Sequence, residues 1–76
     1  MEFKYKTLEG IARTMGASAF KNYAHDYGNS RVSVVGSVAE VISCLYNYGD
    51  SEDLIAHFNG LHDFPELIWK YKDLYN

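Results

Sequence analysis

Four isolated glycines, Gly16, Gly28, Gly49 and Gly60, cut the chain into short pieces, and nearly every piece carries apolar residues at helical spacing. A glycine just past the last apolar position is a helix stop, because it accepts the left-handed conformation that other residues resist. Helices this short are marginal alone and must pack on one another. The pattern predicts a mainly α fold, a bundle of about five short helices in one domain over residues 1–76. A short two-stranded N-terminal β-ribbon would add an α+β element.

The ribbon is suggested by alternation. Phe3, Tyr5 and Thr7 alternate with Glu2, Lys4 and Lys6, which is the period of a half-buried strand over 2–7. Its mate would be 31–35, where Val32 and Val34 alternate with Ser33. The helices follow in order. Thr7 is placed to cap a first helix with Leu8, Ile11, Ala12 and Met15 inward, stopped by Gly16. Ser18 is placed to cap a second, with Phe20, Tyr23, Ala24 and Tyr27 in one stripe and Gly28-Asn29 at its end. Ser37-Val38-Ala39-Glu40 has the form of a capping box. It opens a helix that buries Val38, Val41, Leu45 and Tyr48, flanked by Ile42 and Cys44 and closed by Gly49. Asp50-Ser51-Glu52-Asp53 puts carboxylates in the first turn of the next helix, where the dipole favours them. Leu54, Ile55 and Phe58 form its inner side, with Gly60 as stop. The last helix starts near Asp63-Phe64-Pro65-Glu66 and turns Leu67, Ile68, Tyr71, Leu74 and Tyr75 to the core.

Cys44 is the single cysteine, so no intrachain disulfide or multi-cysteine metal site supports this small fold. The core must suffice, and twelve aromatics among 76 residues supply large burial per residue. No run free of acidic or basic side chains exceeds nine residues, well under the roughly 20 of a membrane span. The first residues show no apolar signal core, so a reducing, cytoplasmic setting is the expectation, in a host cell if the chain is phage-encoded. Charge is unevenly spread. Residues 1–36 carry five cations and three carboxylates, whereas residues 37–76 carry two cations and seven carboxylates. The acidic half disfavours phosphate binding and favours a partner with a basic surface.

Residues 8–27 resemble the helix-turn-helix family. Ile11-Ala12-Arg13-Thr14-Met15-Gly16-Ala17-Ser18 is similar to that family's first helix and turn, with a small residue four before the glycine and a serine opening the next helix. The resemblance implies a DNA-binding regulator in which Arg13, Ser18 and Lys21 meet DNA and the acidic half dimerises. It breaks at Asn22, where the family has a buried apolar residue, and it places Phe20, Tyr23 and Tyr27 toward the DNA side.

No catalytic constellation can be named, and no cofactor or metal is expected. His57 and His62 lie five apart across a glycine turn, so they cannot form an i, i+4 metal pair. Cys44 has no base and orienting group assigned to it and reads as a small hydrophobe. The glycines are isolated helix stops and form no phosphate loop. Trp69 stands out instead. At about 100° per residue it points about 160° away from Tyr71 and shares its face with Glu66 and Asp73. Tyr46 lies at the edge of its own stripe, and seven tyrosines exceed what one small core easily satisfies.

These features predict a non-enzymatic acidic binding protein that inhibits a protein or nucleoprotein partner by occlusion. Trp69, Glu66, Asp73, Tyr46, Asp50, Glu52, Asp53 and Asp63 would form its contact surface, as a mimic of nucleic-acid charge. The concrete expectation is an inhibitor of the kind that phages and mobile elements encode against CRISPR or restriction complexes. The DNA-binding regulator is one alternative, and a homo-oligomeric structural module is another.

Overall fold

The computed structural model describes residues 3–28, 32–60 and 64–72. Five α-helices form: α1 (Leu8–Met15), α2 (Ala17–Tyr23), α3 (Val38–Asn47), α4 (Ser51–Gly60) and α5 (Phe64–Lys72). Between α2 and α3 the chain widens into a π-helical turn, Ala24–Gly28. The described residues are mostly helical and contain no strand.

Local chemistry sets the first and third helices. Thr7 Oγ1 accepts from the Gly10 N–H at 3.0 Å, meeting one of the donors that a helix start leaves unpaired. At the other end of α1, Gly16 adopts φ +92° while its N–H reaches the Ala12 carbonyl at 2.8 Å. A side chain would strain that backbone, so the glycine stop is obligatory here. Ser37 Oγ accepts from the Glu40 N–H at 3.2 Å, the serine half of the capping box. Asp50 carries the start of α4, its carbonyl accepting from the Leu54 N–H at 3.1 Å.

The core centres on α2. It packs on α1, α3 and α5 and continues into the π turn, which packs in turn on α4. Ala19, Phe20, Asn22 and Tyr23 of α2 and Ala24 of the π turn are all buried, while Ala17 and Ser18 at the start of α2 are exposed. Leu8 and Ile11 from α1, Leu45 from α3, and Leu54 and Phe58 from α4 complete the wholly buried apolar set with Val32. Each such side chain contributes on the order of 1.5–3 kcal/mol relative to exposure. From α5, Tyr71 is buried and Leu67 and Ile68 are packed partly against the cluster.

Several sequence expectations change. Of the two proposed strands, Glu2 and Arg31 lie outside the described residues, and residues 3–7 and 32–35 form no ladder. Tyr5 instead satisfies its backbone on a side chain. Its N–H donates to Asn59 Oδ1 at 2.9 Å, and its carbonyl accepts from Asn59 Nδ2 at 2.7 Å. The carboxamide of α4 thus takes the place of a neighbouring strand, while the Tyr5 ring meets Phe58 edge-on at 5.2 Å. Ser18 does not cap α2, which begins at Ala17 with Gly16 in the capping position and no side-chain cap. Tyr48 is exposed rather than buried, because α3 ends at Asn47 and Tyr48 leaves the helical spiral at φ −95°, ψ 2°. Tyr27 is 43% exposed, since the π turn rotates it off the stripe of Phe20 and Tyr23. Leu74 and Tyr75 lie outside the described residues.

Candidate interaction surface

The outward position of Trp69 follows from how α5 is held. Asn22 is 2% exposed, and its Nδ2 donates to the Tyr71 carbonyl at 2.8 Å. The Tyr71 hydroxyl donates to Asp26 Oδ2 on the π turn at 2.6 Å, and its ring lies against Tyr23 at 5.3 Å. A bond to a carboxylate is stronger than a neutral one, so these tethers fix both the position and the rotation of the helix. With Tyr71 turned inward, Trp69 must face out, and it is 64% exposed. Glu66, Lys70 and Lys72 are exposed on the same helix.

The indole also has a cationic neighbour. Lys72 Nζ lies 5.2 Å from the Trp69 ring centroid, a cation–π contact, and Lys70 Nζ lies 5.3 Å from the ring of Tyr71. Asp73, the second carboxylate of the expected frame, lies outside the described residues, as does Asp63. The described charged residues of α5 are Glu66, Lys70 and Lys72.

A second group of expected contact residues sits where α3 turns into α4. Tyr46 is 54% exposed, Glu52 and Asp53 are exposed, and Asp50 is half-buried at the helix start. This corner is built by α3 and α4, whereas α5 packs on α2, so the two groups are carried by different elements.

The residues that resemble a helix-turn-helix are arranged otherwise. Asn22, which departs from that family, is buried as the family's residue is, but through its hydrogen bond to α5. Phe20 and Tyr23 face the interior and offer nothing to DNA. Of the residues assigned to DNA, Lys21 donates from Nζ to the Gly36 carbonyl at 2.9 Å and so ties α2 to the turn before α3. Ser18 and Arg13 are exposed. Arg13 borders a shallow groove of about 410 Å³ with Glu9, whose apolar lining is Ala12, Ala17, Val38 and Ile42.

Comparison with known proteins finds no family profile, no curated protein and no solved structure that matches the chain. The surface must be read on its own chemistry. Among the described residues no three His, Cys, Asp or Glu side chains converge as a cation site, and no helix is long and apolar enough to cross a membrane.

Two features had no sequence signal. Val35 is 89% exposed in the turn before Gly36, although its β-branched neighbours suggested a strand. The Tyr23 hydroxyl meets His57 Nδ1 at 2.5 Å across 34 positions of sequence, and Tyr27 stacks on the same imidazole with centroids 3.8 Å apart. Burial, with the neighbouring Tyr27 and Tyr71 hydroxyls, holds the Tyr23 phenol well above its ordinary titration range. Burial also pushes His57 below the usual imidazole value.

Proposed function

We propose that this chain is a non-enzymatic binding protein that acts by occluding a site on a larger protein or nucleoprotein partner, with Trp69 as the central contact. The observation that carries the reading is a 64% exposed indole on a helix held by one buried and one partly buried polar tether. Such a ring supplies contact area without a large ordering cost, and tryptophan is among the residues that dominate binding hot spots. The acidic α3–α4 corner, with exposed Tyr46 beside it, would steer a basic partner and contribute a second contact.

The narrower proposal is an inhibitor of a nucleic-acid-processing complex of the kind that phages and mobile elements counter, CRISPR or restriction machinery included. Small size, the seven carboxylates of residues 37–76 and aromatic richness support it. The mechanism would be steric and electrostatic blockade in the cytoplasm, with Glu66, Asp50, Glu52 and Asp53 opposing basic groups.

Tagged wild-type protein and a Trp69→Ala, Glu66→Lys double variant, used as bait in a lysate of the natural host, provide the test. Loss of a hot-spot anchor costs at least about 2 kcal/mol, roughly a thirtyfold weakening. The proposal requires that loss in a variant whose circular dichroism is unchanged, and full retention of the captured partner refutes it. Recovery of nucleic acid alone, weakened by Arg13→Ala, would move the assignment to the DNA-binding alternative. Sedimentation at two protein concentrations separates either from self-association.

A further inference from the structure

Of the asparagines Asn22, Asn29, Asn47, Asn59 and Asn76, Asn59 alone precedes a glycine. Asparagine is chemically labile, and most so in that pairing, because its carboxamide can be attacked by the next backbone nitrogen. The Gly60 nitrogen gives up its proton and bonds to Cγ of Asn59, the Cγ–Nδ2 bond breaks, and ammonia leaves. Water then opens the cyclic imide. Cleavage at Cγ yields aspartate, whereas cleavage at the backbone carbonyl yields isoaspartate, with the main chain rerouted through the side chain. Nothing is oxidised or reduced, and water is the co-reactant. Glycine favours the step because no Cβ crowds its nitrogen and its backbone turns freely.

The fold opposes this chemistry in two ways. Asn59 and Gly60 end α4, whose ladder engages backbone N–H groups. That restraint is weak, since helix ends fray and Gly60 is exposed with open space around it. The stronger restraint grips the carboxamide itself. Oδ1 accepts from the Tyr5 N–H at 2.9 Å, and Nδ2 donates to the Tyr5 carbonyl and to the Ile55 carbonyl, each at 2.7 Å. Two of these three bonds come from a segment 54 positions away, which also sets its Tyr5 ring on Phe58. While Tyr5 is docked, the carboxamide cannot swing toward the Gly60 nitrogen.

We propose that Asn59 is a self-modification site guarded by Tyr5: when the N-terminal segment leaves, Gly60 closes on the freed carboxamide, and the acid that results no longer holds the segment. Aspartate lacks the Nδ2 donor and sets a charge beside the Tyr5 and Ile55 carbonyls, and isoaspartate also displaces the backbone. A brief local opening thereby becomes lasting. No residue of the candidate interaction surface takes part.

The test incubates the full wild-type chain, Tyr5→Pro and Gly60→Ala in mildly alkaline buffer and in urea. Peptide mass spectrometry follows conversion at Asn59, and enzymatic methyl transfer detects isoaspartate. Tyr5→Pro lacks the N–H that binds Oδ1. Gly60→Ala adds a Cβ that meets nothing within 4 Å, so it keeps the fold and hinders only the attack. Folded Tyr5→Pro should convert about fivefold faster than wild type, the worth of one tethering bond, and a wild-type rate overturns the proposal. Wild type should convert more slowly in buffer than in urea by at least that factor, and equal rates overturn it. This second comparison decides should Tyr5→Pro fail to fold. In urea Gly60→Ala should be the slowest of the three, and conversion at the wild-type rate would mean direct hydrolysis and refute the Gly60 attack. In the converted wild-type fraction the Tyr5 amide should exchange faster than in fresh protein while that of Leu45 is unchanged, and intact Tyr5 protection refutes the guard.

Discussion

Replacing Asn59 by alanine removes the group that stands in for a partner strand. The carboxamide makes two bonds to the Tyr5 backbone and a third, from Nδ2 to the Ile55 carbonyl at 2.7 Å. The two long-range bonds are each worth about 0.5–1.5 kcal/mol net. The greater helix propensity of alanine returns up to about 0.7 kcal/mol. The net loss is about 1–2 kcal/mol, a fall in Tm of roughly 4–16 °C for a domain of this size. Loss should concentrate at the N-terminal segment, so amide exchange at Tyr5 should speed up more than that of Leu45 in α3. Asn59→Asp sharpens the test. Its carboxylate still accepts from the Tyr5 N–H, but it aims a second oxygen at the Tyr5 and Ile55 carbonyls. The variant should be less stable than the alanine one at neutral pH. Those carbonyls raise the folded-state pKa of the new carboxyl above the unfolded value of about 3.9. Its relative stability is therefore greatest below that value and is lost as pH rises through the folded-state pKa. Thermal and urea unfolding by circular dichroism measure both. An alanine variant within about 0.5 kcal/mol of wild type, with Tyr5 protection intact, would refute the reasoning.

Three further outcomes are expected. Phe58→Ala empties a fully buried site between Tyr5 and Tyr23 and should cost about 3–5 kcal/mol in urea unfolding, a large part of what a small domain has. Trp69→Ala should change unfolding free energy by no more than about 1 kcal/mol, the worth of an exposed cation–π contact with Lys72, and a larger loss would show the indole to be part of the core. Stability should depend on pH through His57. Its folded-state pKa lies below the unfolded value of about 6.5, so its contribution is full above that value and is lost as pH falls through the folded-state pKa. Tm measured across that range should decline less in His57→Gln than in wild type.

What was legible in the chain was local. Thr7, Ser37, Gly16 and Gly49 announce helix ends because a cap or a positive φ is settled within four residues, and Gly49 does adopt φ +73°. The inward positions of α1, α3 and α4 follow from apolar spacing for the same reason. The polar residues that organise the core are not local. Asn22, His57 and Asn59 look like ordinary surface side chains until their partners arrive from 49, 34 and 54 positions away. Alternation over Phe3 to Thr7 reports an extended segment with one inner side, and it is silent on whether a strand or a carboxamide meets the backbone. The π turn has no pattern of its own either, and it moved Tyr27 from the expected stripe onto His57. For the candidate surface, the direction of Trp69 was a matter of angles along one helix. That Lys72 would lie near the ring, and that the acidic corner would belong to α3 and α4, was not readable from those angles.

A seven-residue α2 that touches most of the molecule has a practical meaning for anyone altering this protein. Tolerance to change should be lowest in the interior stretch 19–24 and should be high at Val35, which projects almost entirely into water. A dye belongs on the side chain at position 35 alone, since its neighbour Gly36 is bound to Lys21 of the hub.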